Sequence, residues 1–98
     1  MNPHGKMEFE NDQVRIIRVM VGKGESAPMH EHPAGVQILL TDLHVRVTTP
    51  DGKTTETSGK AGDADYSPPR AHAVENIGER FEEIIVDLKA TPSKTAGR

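Results

Sequence analysis

The sequence predicts a small all-β domain, a closed barrel or sandwich of short strands. Runs of Val, Ile and Thr recur roughly every eight to twelve residues between clusters of Gly, Pro, Asn and Asp. No segment keeps the period of an amphipathic helix. With 98 residues, one Tyr, two Phe and no Trp, the chain has material for a single core.

Taken in order, strands are expected over residues 6–10, 14–21, 27–32, 36–41, 44–49, 54–58, 64–67, 71–76 and 81–89. The breaks between them hold Asn11-Asp12, Gly22-Lys23-Gly24, Pro33-Ala34-Gly35, Pro50-Asp51-Gly52, Gly59 to Gly62, Pro68-Pro69-Arg70 and Gly78-Glu79. Each supplies a residue suited to a sharp backbone turn. Pro50-Asp51-Gly52 is the clearest hairpin, and the strand after it, Thr54-Thr55-Glu56-Thr57, has no large apolar residue, as befits an edge. Residues 1–89 are read as one domain, and the small, polar residues 90–98 as a disordered tail.

A net charge of −3 with intermixed signs leaves no basic footprint for nucleic acid or an anionic membrane. No apolar run approaches membrane-spanning length, and a cytoplasmic protein is expected. The absence of cysteine excludes disulfides, thiolate ligands and a Cys nucleophile. No serine has a matching base partner for covalent hydrolysis.

The chemistry concentrates in histidine. His30-Glu31-His32 falls on an expected strand, where residues two apart share a face with Cα atoms ~7 Å apart, so both imidazoles can meet one ion. A third, His72, lies on another short strand after a proline turn. Neutral imidazoles on separate strands of a barrel form a cage for a divalent transition metal.

These spacings resemble the two motifs of the cupins. Gly24, five residues, His30-Glu31-His32 and then Gln37 resemble the first motif, whose glutamate would stand at Gln37. Gly62, five residues, Pro68-Pro69-Arg70-Ala71-His72 and then Asn76 look like the second. The likeness runs over about residues 7–89 and implies a double-stranded β-helix, or jelly-roll barrel. It implies His30, His32, Gln37 and His72 as the metal shell, and a homodimer formed through sheet strands. The sequence departs from the motifs in three places: Gln37 replaces the glutamate, Asp42-Leu43-His44 stands at a turn glycine, and Pro69-Arg70-Ala71 shortens the second turn. Some zinc-dependent cupin cyclases resemble this arrangement of three histidines and a glutamine. Neutral ligands leave the ion's charge intact, which favours Lewis-acid work or activation of bound water.

The expected function is that of a metal-binding small cupin with one iron, zinc, nickel or manganese ion, acting on a small organic molecule as a dioxygenase, isomerase or cyclase. The alternative is a non-catalytic carrier or sensor of a small ligand. Tyr66, Arg70 and Met29 are candidate pocket residues, with Arg70 placed to reach an anion at the barrel mouth. Met7, Met20 and Met29 also read as core residues. His44 should face solvent, because Leu43, Val45 and Val47 form the buried alternation. Glu75, Glu79, Glu82 and Glu83 read as a solvated acidic face, Asn76 as a turn anchor, and His4 as inert.

Overall fold

In the computed structural model, residues 4–89 are described, and they form nine β-strands. These are β1 Gly5–Glu10, β2 Val14–Val21, β3 Ser26–His32, β4 Gly35–Leu39, β5 Leu43–Thr48, β6 Thr54–Gly59, β7 Ala64–Ser67, β8 Arg70–Asn76 and β9 Phe81–Leu88. A five-stranded sheet runs in the order β1-β2-β9-β4-β7, and a four-stranded sheet in the order β3-β8-β5-β6. Every pairing is antiparallel. The expected strands thus stand within a residue or two of the observed ones, and β6 is an edge strand. The tail expected over residues 90–98 lies outside the described residues.

The sheets face each other over a core of Ile17, Val19, Val21, Leu39, Leu43, Val45, Phe81 and Ile85. Alternation decides which side chains enter it. Along β9, Phe81, Glu83, Ile85 and Asp87 are buried, while the residues between them are half-buried. Gly24, Gly52 and Gly62 take positive φ, at 81°, 88° and 93°. Two of these are the glycines that open the two motifs, where the chain turns in a conformation that a side chain would strain.

Asn76 is 1% exposed and fixes a turn, as expected. Its Nδ2 donates to the carbonyls of Val21, Gly22 and Glu79, and its Oδ1 accepts from the Gly78 amide. His4 ties the start of the described residues to β3: its Nε2 bonds the Ser26 carbonyl at 3.1 Å and its ring lies beside Glu25. Met7 and Met20 are exposed rather than in the core: Met20 lies on the outward face of β2, and Met7 lies on the edge strand β1. Among the described residues, no helix is long and apolar enough to cross a membrane.

Candidate metal centre

His30, His32 and His72 meet because β3 and β8 are neighbours in the small sheet. His30 pairs directly with His72, and His32 with Arg70. A β-bulge makes this possible. From Ala27, opposite Val74, to His30, opposite His72, β3 spends three residues where β8 spends two. The extra residue resets the alternation, so Ala27, His30 and His32 all line the barrel interior.

One ligand nitrogen from each histidine lies within 4.8 Å of the others. The rings stand edge to face, with centroids 4.7, 4.9 and 5.2 Å apart. His30 Nε2 and His32 Nε2 approach to 2.9 Å. Nitrogens in a tetrahedral metal shell lie about 3.3 Å apart, a value between the 2.9 Å of this pair and the 4.8 Å that bounds the group.

Their protonation also suits a cation. Burial, helped by the charges of Arg70 and His30, lowers the His32 pKa to about 4, and burial likewise lowers that of His72 to about 4. Both rings are neutral near pH 7. His30 Nδ1 donates to the Pro28 carbonyl at 2.6 Å, which leaves its Nε2 lone pair for the site. His32 Nδ1 lies 4.0 Å from Asp87 Oδ1, a buried oxygen with no hydrogen-bond partner. The donor set therefore fits a divalent transition metal.

Gln37 lines the same cavity. Its Nε2 donates to Glu83 Oε1 in a short hydrogen bond, and its own carbonyl oxygen accepts none among the described residues. Glu83 corrects the sequence reading: it is 6% exposed and faces the cavity, not a solvated acidic surface. Burial raises its pKa above the ordinary glutamate range, and burial also raises that of Asp87. The signal was present in the alternation Phe81, Glu83, Ile85, Asp87, which places both carboxylates on the core face.

The cavity encloses about 180 Å³. Val19, Leu39, Val45 and Phe81 supply apolar wall, and Arg70 contributes a cation. Two expected pocket residues are not part of it. Tyr66 is 64% exposed, because it pairs with Val36 on the outward face of the large sheet. Met29 is 45% exposed, turned outward by the same bulge that turns His30 inward. His44 is exposed, as its neighbours implied, and Glu56 lies 3.3 Å from its Nε2.

This architecture is the double-stranded β-helix of the cupins. A cupin domain of Bordetella pertussis superposes with a TM-score of 0.81 at 20% identity, over 88% of this chain and 92% of that one. An RmlC-like cupin family protein of Methanocaldococcus jannaschii gives 0.69 at 18% identity, over 91% and 81%. The polyketide cyclase RemF of Streptomyces resistomycificus gives 0.66 at 19% identity, over 93% and 69%. No family model matches the chain, and no curated protein sequence matches it.

Proposed function

We propose that the chain is a metal-dependent cupin enzyme acting on a small organic molecule, with one divalent transition metal ion held by His30, His32 and His72. Gln37 offers its carbonyl oxygen as a fourth ligand. The observation that carries this reading is the convergence of three imidazoles within 4.8 Å, with the far nitrogen of His30 tied to the Pro28 carbonyl.

A bound ion of this kind supplies Lewis acidity to a polarised oxygen. The rest falls to the chain. The apolar wall excludes water, which strengthens polar contacts inside the barrel. The buried Glu83 carboxyl, held by Gln37, is a group able to take and return a proton beside the ligand. Isomerase or cyclase chemistry fits these parts, and the likeness to a polyketide cyclase supports the latter. A non-catalytic carrier or sensor is the second reading, favoured by the aliphatic stretch of the cavity wall formed by Val19, Val21, Leu39, Val45, Val74 and Ile85.

The test is metal content per chain by plasma mass spectrometry, on protein purified without a histidine tag. Near-stoichiometric iron, zinc, nickel or manganese is expected, with His30→Ala and His72→Ala each losing the ion yet keeping a folded barrel. Wild-type metal content in both variants would refute the assignment.

The reading includes a homodimer. Phe9, Ile16, Val86, Val36 and Tyr66 form one cross-strand row on the outer face of the large sheet, running from β1 through β2, β9 and β4 to β7. Phe9 is 51% exposed at one end of the row, and Tyr66 is exposed at the other. An apolar row of ~19 Å fits a second copy related by a two-fold axis, because such an interface joins like to like.

A further inference from the structure

The geometry points to a carboxylate on the cavity's ligand, received by the guanidinium of Arg70. This inference rests on the metal reading for the place where the ligand reacts, but its own basis is separate.

Arg70 opens β8 and pairs with His32, so alternation sends its side chain to the same face as His72. It is partly buried and lines the cavity with the three histidines. Every other arginine of the described residues lies close to a carboxylate. Arg15 meets Glu10, Arg18 meets Glu8 and Glu82, Arg46 meets Glu75, and Arg80 meets Glu82. No described carboxylate oxygen lies within 4.0 Å of Arg70. Its hydrogen bonds go from Nη1 to the Pro33 and Pro68 carbonyls, both at 3.4 Å. These two contacts hold one nitrogen of the guanidinium against the proline turns. The other two nitrogens make no protein hydrogen bond, and neither is a buried orphan.

Asp87 and Glu83 act on Arg70 through space but do not touch it. A cation drawn partly out of water with no carboxylate in contact is costly, and an arriving anion offsets that cost. The planar fork of a guanidinium matches the two oxygens of a carboxylate. Neither internal carboxylate fills the role: Glu83 is engaged by Gln37, and Asp87 stays beyond 4.0 Å of the guanidinium. The remaining lining is Val, Leu, Ile and Phe side chains over one part and Thr57, Ser58, Asp63 and Asp65 over another, around about 180 Å³. The ligand class is therefore a small carboxylic acid with an apolar remainder, its acid group on Arg70 and its reacting end near the histidines.

Isovalerate and its neutral analogue isovaleramide are suitable probes, titrated into metal-free and zinc-loaded protein and followed by amide NMR shifts. Isovalerate is expected to move resonances along β3 and β8 in the metal-free protein, with isovaleramide binding at least about tenfold more weakly. Arg70→Met should weaken isovalerate by about tenfold or more while zinc content stays at the wild-type level. Arg70→Lys keeps the charge but loses the fork, and should fall between the two; it also serves should Arg70→Met fail to fold. Equal affinity for acid and amide, equal affinity in wild type and Arg70→Lys, or no binding of isovalerate would overturn the inference. A chain that takes no zinc yet binds isovalerate through Arg70 would refute the metal reading and leave this one standing.

Discussion

His32 and His72 are the side chains whose ionisation the barrel changes most, and their shift makes stability depend on pH. Their folded pKa values of about 4 lie below the 6.5 of a free imidazole. Below pH 6.5 the unfolded chain takes up protons that the native one refuses, so their contribution is full above that value and is lost as pH falls toward 4. Glu83 and Asp87 act in the opposite sense. Burial raises both, so they favour the native state at low pH and weaken it as pH rises past the ordinary carboxylate range. A single substitution separates the two effects. In metal-free protein, the stability difference between wild type and His72→Gln should move in the variant's favour between about pH 7 and about pH 5, as read by urea unfolding. A difference that stays constant over that interval would mean that the imidazole is not held neutral. At this scale the three histidines were legible because their spacing is a motif. Glu83 was hidden by its neighbours, since a run of acidic residues suggests a wet surface until alternate positions are separated.

At the scale of the element, turn chemistry and alternation made the strands readable. Pro50-Asp51-Gly52 sits at the β5–β6 turn with Gly52 at positive φ, and Leu43 and Val45 face inward as their pattern demanded. The β3 bulge was not readable, because Pro28 and Met29 carry no sequence mark that one of them is extra. Hence Met29 was expected at the pocket and stands outside it. Asn76 gives the element-scale prediction. It joins the end of β8 to the turns beside β2 and β9 through four hydrogen bonds, all from one buried side chain. Asn76→Ala leaves the Val21, Gly22 and Glu79 carbonyls and the Gly78 amide without this partner. It should cost about 2–4 kcal/mol in urea unfolding, at the upper end for a polar truncation. A loss near zero would show that the turns hold without it.

For the whole molecule, the two faces of the large sheet differ in what they carry. The inner face meets the cavity, and the outer face carries the row from Phe9 to Tyr66. Sedimentation of the wild-type chain should give twice the 10.7 kDa of one copy. Val86→Lys, at the centre of the row, should give a monomer that keeps its metal, because the charge lies on the opposite face from the histidines. A monomeric wild type, or a dimeric Val86→Lys protein, would remove this face from the account. The likeness to the cupins implied a homodimer through sheet strands, but only the register shows where the outer apolar side chains align.

β9 belongs to both faces at once, with Glu83 and Asp87 turned in and Ile84 and Val86 turned out. Its reading frame within the sheet is therefore less forgiving than its spelling. Replacing one residue disturbs one wall, whereas removing a single codon exchanges the walls: carboxylates move to the outside and isoleucine and valine into the cavity. Among natural variants of this chain, β9 should thus accumulate substitutions at individual sites while its length stays constant, and changes of length should gather in the turns that flank it.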